Sequence, residues 1–154
     1  MSYIKVMSEN IKLEITFPSD WDYIPAVRRF IADATMIEGF NQKFAYRTEV
    51  IVDELCNNSV KFGSSSLDSE IILNCDLIED TVKINIKDSG GQKSEVENLK
   101  RAVESKEVDD LKGHGLEIVK MLSSDVKIDT DSNGDTVVKV VKRRSSDILS
   151  ILTE

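Results

Sequence analysis

Glu54, Asn58 and Lys61 recur at one-turn spacing, and at about 100° per residue they fall within an arc of about 60°. Measured from Glu54, the apolar stripe of the same segment (Phe44, Thr48, Ile51, Leu55, Ser59, Phe62) centres roughly 100° round the helix. Asp53 and Asn57 point to the opposite, wet side. Glu54 and Asn58 therefore stand where core meets solvent. A carboxylate and an amide there can hold a divalent cation through oxygen and still reach a substrate, with the carboxylate as a base. On this helix alone, a solvated Glu54–Lys61 flank with a neutral Asn58 is the simpler reading.

Two further segments carry chemistry. Asp88-Ser89-Gly90-Gly91 directly follows an alternating segment. An aspartate at a strand end can accept a hydrogen bond from an amino group while the glycines let the backbone pass close to a flat ring. A Gly-Gly turn with an Asx start has the same composition. Lys112-Gly113-His114-Gly115-Leu116 opens a helical pattern, and glycines at such a start leave backbone N–H groups free for a phosphate. Neither GxxxxGK[ST] nor a full GxGxxG is present. His114 is the sole histidine, and one imidazole does not make a zinc site.

The elements that must position these residues follow from periodicity. Ile11, Leu13, Ile15 and Phe17 alternate with polar residues, a half-buried strand. Ser19 and Asp22 supply capping chemistry for a helix carrying Ile24, Val27, Ile31 and Ala34, with Pro25 in its first turn and an end near Gly39. A longer helix runs from about Phe44 to Phe62, with Gly63 suited to a left-handed closing residue. Ile71, Leu73, Cys75 and Leu77, then Val82, Ile84 and Ile86, alternate about a Glu79-Asp80 turn and make a hairpin. Gly90 to Gly113 is polar and charged, with one weakly amphipathic stretch (Val96, Leu99, Val103), and reads as a functional lid. Leu116, Val119 and Leu122 mark a third helix. Val126 and Ile128 make a strand, Asn133-Gly134 a tight turn, and Thr136–Val141 a returning strand apolar on both faces, as in mid-sheet. The expected fold is α+β: a two-layer sandwich of a mostly antiparallel sheet with all helices on one face.

Composition sets the bounds. The 154 residues include 28 acidic and 20 basic side chains, a net charge of −8, and 40% are apolar, enough for one core. We expect one domain over residues 1–143 and a tail over 144–154. A pI of 4.8 argues against direct binding to nucleic acid, which needs a basic face. No unbroken apolar run exceeds three residues, so no membrane span is expected. The opening Met1–Lys5 lacks the basic-then-apolar pattern of a secretory signal, and Cys56 and Cys75 have no CxxC spacing. They read as buried, reduced thiols of a cytoplasmic protein.

The order and spacing of the three segments resemble the GHKL ATP-binding superfamily, of the Bergerat-type fold, over about residues 10 to 143. Glu54-Leu55-Cys56-Asn57-Asn58 looks like its N-box, Asp88-Ser89-Gly90 its first glycine box and Gly113-His114-Gly115 its second. Gly134-Asp135-Thr136 is similar to its terminal Thr motif. Within the superfamily the chain is most like the bacterial anti-sigma factor serine kinases. The resemblance implies ATP and Mg²⁺ as cofactors. It makes Glu54 the general base, Asn58 the Mg²⁺ ligand, and Asp88 the acceptor for the adenine amino group with Thr136 in support. Gly90 would lie against the base, and Lys112, Gly113, His114, Gly115 and Leu116 would form the phosphate segment, under a lid of residues 91–112. Implied partners are an anti-sigma-antagonist protein as substrate, a sigma factor, and a second copy in a homodimer. One departure is that Gln92 stands where the first box has its last glycine, with Gly91 one residue early. A non-catalytic partner-switching module is the alternative.

Overall fold

Ile11, Leu13, Ile15 and Phe17 place an apolar side chain on one face at every second position, and the strand they form, β1 (Ile11–Pro18), pairs antiparallel with β2 (Glu70–Ile78). The computed structural model describes residues 10–63, 68–89, 97, 100, 101, 104 and 115–144. β2 turns at Glu79-Asp80 into β3 (Thr81–Asp88), Glu79 taking a positive φ of 49°. β4 (Asp125–Thr130) returns through Gly134, at φ 81°, into β5 (Thr136–Arg143). Asp131 Oδ1 pins that turn by accepting from the backbone N–H of Asn133 at 2.9 Å and of Asp135 at 3.0 Å. The sheet order is β1-β2-β3-β5-β4, antiparallel throughout. The expected α+β sandwich is therefore observed.

One face of this sheet carries the core. Ile71, Leu73, Cys75 and Leu77 of β2 and Val82, Ile84 and Ile86 of β3 are buried against the helices. On the opposite face Val137 and Val141 of β5 are half-buried, as the two-sided pattern requires of an interior strand. Cys56 and Cys75 are free and buried, and burial pushes each thiol up to about 12, with Asp53 and Asp76 adding to the shift.

Helix α1 (Ile24–Ile37) buries Ile24, Val27, Ile31, Ala32 and Thr35. A 3₁₀ turn, Trp21–Tyr23, leads into it and is capped by Asp20, whose Oδ1 accepts from Asp22 N at 2.9 Å, whereas α1 itself starts after Tyr23 with no side-chain cap from Ser19 or Asp22. Helix α2 (Gln42–Phe62) begins two residues earlier than the apolar pattern suggests because Asn41 caps it, accepting from Phe44 N at 2.8 Å. Thr48 lies wholly inside, and its hydroxyl donates to the Phe44 carbonyl at 2.9 Å, so a polar residue sits in the stripe without an unmade bond. Helix α3 (Leu116–Leu122) buries Leu116 and Val119. Its far end is held by Lys142, whose Nζ donates to the Leu122 carbonyl at 2.7 Å and lies 4.9 Å from the Phe44 ring centroid.

Two details differ from the sequence reading. Gly63, which ends α2, has φ −101° and is not left-handed. Asp53 is not turned freely to solvent: Arg28 of α1 donates to its Oδ1 at 2.6 Å and also lies 3.7 Å from Glu49, joining α1 to α2. Among the described residues no helix is long and apolar enough to cross a membrane.

Candidate functional site

Helix α2 packs between α1 and α3, and its α3-facing flank carries Glu54 and Asn58. Glu54 is half-buried, and its carboxylate abuts Gly115, the residue that opens α3. A Cβ on Gly115 would overlap Glu54 Oε2, and the backbone there has φ +70°, so both space and conformation require glycine. Burial raises the pKa of Glu54 above the ordinary carboxylate value, and the neighbouring Asp53 charge raises it further.

One turn along, Asn58 is half-buried with Nδ2 fully enclosed. At the end of the helix, Gly63 lies against Asp88, the last residue of β3, and any Cβ on Gly63 would overlap that carboxylate. Glu54 and Gly63 thus mark two ends of a strip about 13 Å long, at ~1.5 Å of helix per residue. Asp88 is buried at 7% exposure and faces Thr136 directly across the β3–β5 ladder, the latter 6% exposed. Ser89 ties this end together: its Oγ donates to the Gly63 carbonyl at 3.2 Å and lies 3.2 Å from Ser69 Oγ. The Ser69 carbonyl in turn accepts from Ser19 N at 2.8 Å.

Among the described residues, two buried side-chain polar atoms have no hydrogen-bond partner, Asn58 Nδ2 and Thr136 Oγ1. Both belong to this strip. Buried polar atoms are nearly always satisfied, and each exception costs about 1–3 kcal/mol. A polar ligand lying along α2 over the ends of β3 and β5 is the kind of group that would complete Thr136 Oγ1.

The structure therefore brings Glu54, Asn58, Asp88, Gly115, Leu116 and Thr136 to one side of the molecule, with Leu116 packed in the core beneath rather than lining the strip. Gly90, Lys112, Gly113 and His114, most of the expected lid over 91–112, and the tail beyond Arg144 lie outside the described residues. Gly63 is a site residue that the sequence reading gave only a capping role. The sequence holds no sign of its contact with Asp88, because that contact exists only once the helix is laid over β3.

The model of the histidine kinase-like ATPase domain matches residues 17–142, most of the chain. The chain belongs to this family. As a histidine kinase-like ATPase domain it belongs to a nucleotide-binding class. Two solved structures share the domain's fold. One holds the RsbU and RsbW domains of Rv1364c from Mycobacterium tuberculosis, with TM-score 0.63 and 18% identity over 86% of this chain and 32% of that one. The other is the SiaB–SiaC complex from Pseudomonas aeruginosa, with TM-score 0.69 and 12% identity over 84% and 88% of the two chains. The chain spans about a third of the length of the Rv1364c structure. At these identities the likeness is one of fold. No curated protein gives a significant match.

Proposed function

We propose that this ATPase domain is a Mg·ATP-dependent protein serine kinase of the anti-sigma factor type. It phosphorylates a small anti-sigma-antagonist protein and holds a sigma factor when that antagonist is not available. The observation that carries the reading is the enclosed, unpartnered hydroxyl of Thr136 opposite Asp88, on a strip that also holds Glu54 and Asn58. The fold likeness to the SiaB–SiaC complex supports a protein partner, since one chain of that complex assembles with another.

In this reading Asp88 accepts from the adenine amino group and the Thr136 hydroxyl gains the partner it lacks. Gly63 and Gly90 leave room for the base. Asn58 supplies its side-chain oxygen to Mg²⁺, a cation that takes few protein ligands and fills its shell with phosphate and water. Bound Mg²⁺ supplies neutralisation of the phosphate charge. Gly113, His114, Gly115 and Lys112 hold the phosphates, and residues 91–112 cover them.

Glu54 is the base. Its carboxylate takes the proton of the partner's serine hydroxyl as that oxygen bonds to the γ-phosphorus and the bond to ADP breaks. Partial burial moves Glu54 toward the working range of a base and keeps it at the α3 end of the strip, away from Asp88. Phosphate on the partner's serine then repels the acidic surface of a chain of net charge −8 and releases it. The setting is cytoplasmic.

Gln92, in place of a glycine of the first box, favours a second reading, a partner-switching module that transfers no phosphate. Labelled ATP with candidate antagonist proteins separates the two. Transfer that Glu54→Ala abolishes while ATP affinity stays intact supports the kinase. Nucleotide binding with no transfer to any candidate, measured beside a positive control kinase, supports the module.

A further inference from the structure

Lys87 precedes Asp88 on β3, and alternation turns its side chain to the sheet face opposite the helices. There its Nζ lies 2.7 Å from Asp131 Oδ2 and 3.4 Å from Asp135 Oδ2. Asp131 closely follows β4 and Asp135 directly precedes β5, so one ammonium joins three strands where they reach the site. Thr136, the first residue of β5, is next in the chain to Asp135 and stands opposite Asp88 in the ladder. The charged cluster therefore sits behind the Asp88–Thr136 pair, on the far side of the sheet.

Two features separate this cluster from an ordinary surface ion pair. Asp131 is used twice: Oδ2 meets the ammonium, while Oδ1 accepts from the backbone N–H groups of Asn133 and Asp135 that shape the turn. Lys87 thus holds the same carboxylate that pins the chain entering Thr136. The three side chains are also only 33%, 26% and 27% exposed, which limits screening by salt. The contact of Lys127 with Asp125 on β4, at 3.9 Å and with both side chains more than half exposed, has neither feature. The hydrogen bond between Lys87 and Asp131 holds the carboxyl below its ordinary value and the ammonium above its own, so both are charged at neutral pH.

The helix side of the sheet shows what needs holding. Thr136 Oγ1 is buried without a hydrogen-bond partner, so no polar contact there fixes the hydroxyl before a ligand arrives. Its place is set by its backbone and packing, and the backbone leading into it is the turn that Lys87 holds. We infer that Lys87 is a positioning residue for the adenine end of the site. It touches no ligand, and by holding the Asp131–Asp135 turn against β3 it keeps the Thr136 hydroxyl beside Asp88, where the base is read. This rests on the nucleotide reading proposed above. Glu54 and Gly115, at the other end of the strip, do not depend on it.

Calorimetry on the full chain with adenosine, ATP and GTP, well below the melting temperature of each variant, tests this. Lys87→Met keeps most of the stem and removes the charge. It is expected to weaken adenosine and ATP by the same factor, about three- to tenfold, because only the base contact they share is disturbed. The preference for ATP over GTP should narrow with it. Lys87→Arg returns a cation that can meet both carboxylates and should recover wild-type affinity to within about twofold. Lys83→Met removes an exposed cation from the same face of β3 and should change nothing. In a Thr136→Val background Lys87→Met should cost little more, because the group it positions is gone. A bridge that only stabilises the fold would lower the melting temperature and leave every affinity untouched, and that result overturns the inference. So does a loss confined to ATP, or one that persists in full in Thr136→Val. A wild type that binds no adenine nucleotide overturns the nucleotide reading, and this inference falls with it. Wild-type binding that Lys87→Met leaves unchanged removes the role of Lys87 alone.

Discussion

Gly63 and Asp88 touch across the end of the α2–β3 layer, so closely that the Asp88 carboxylate fills the space a Cβ on Gly63 would need. The contact fixes how far α2 extends over the sheet, and Ser89 reinforces it by donating to the Gly63 carbonyl. Gly63→Ala must therefore push Asp88 aside or lift the helix end. Overpacking of this kind costs about 1–3 kcal/mol. The expected outcome is a lower melting temperature together with at least a tenfold loss of adenine nucleotide affinity by calorimetry, guanine nucleotides losing little. Wild-type affinity in Gly63→Ala would show that Asp88 does not read the base.

Gly115 and Glu54 pose the same problem at the other end. Gly115→Ala puts a Cβ into the Glu54 carboxylate and a side chain on a residue at φ +70°, a backbone that costs an L-residue about 1–2 kcal/mol. The overlap and the backbone cost are separable. Adding Glu54→Ala relieves the overlap, so the double variant should be more stable than Gly115→Ala by chemical denaturation, yet still transfer no phosphate. Strict additivity of the two stability changes would mean that the residues do not press on each other.

These two contacts mark where sequence reasoning stopped. Periodicity places Glu54 and Asn58 on the shoulder of α2, and alternation places Asp88 at the end of β3, because both depend on local geometry alone. Strand pairing through Glu79-Asp80 and Asn133-Gly134 is equally local. The position of Gly63 over Asp88 depends on how deep α2 sits, which is set by Phe44, Ile51 and Leu55 packing on the sheet, and no spacing encodes that. Asp53 was misplaced for a related reason: helical angle puts it on a wet flank, but Arg28 arrives from α1 to pair with it. The caps failed more narrowly, since Asp20 caps the 3₁₀ turn ahead of α1 and α1 itself starts with no side-chain cap.

Asn58 is expected to act through the metal. Asn58→Ala removes the side-chain oxygen proposed for Mg²⁺ and should weaken ATP binding about tenfold or more in Mg²⁺. In chelator, where the cation is gone from both proteins, variant and wild type should bind ATP alike by calorimetry. Equal weakening with and without Mg²⁺ would give Asn58 a purely structural role.

The raised pKa of Glu54 makes a prediction about stability and pH. Folding favours its protonated form, so the ionised carboxylate opposes folding once pH rises past the raised folded value. Glu54→Gln removes that charge while keeping the shape. The variant should melt above wild type at neutral pH, and the difference should shrink on acidification and vanish below about the ordinary value of 4.5, where both states of the wild type are protonated. Phosphate transfer should be lost at every pH. A melting difference independent of pH would assign the effect to packing and not to the charge.

Thr136 separates the needs of folding from those of ligand binding. Its Oγ1 is buried on β5 without a partner, opposite Asp88. Val has the same branched shape, suits a strand, and leaves no hydroxyl to strand, so Thr136→Val should stabilise the ligand-free chain by about 1 kcal/mol, a shift of a few degrees in melting temperature. If a nucleotide completes that hydroxyl, the same variant should bind ATP about tenfold more weakly, near 1.4 kcal/mol. The melting curves of the two proteins would then cross as ATP is added, wild type gaining more from the ligand than the variant does. Stabilisation that persists unchanged at saturating ATP would mean that the ligand leaves Oγ1 unpaired, and would place the nucleotide away from the β3–β5 end of the strip.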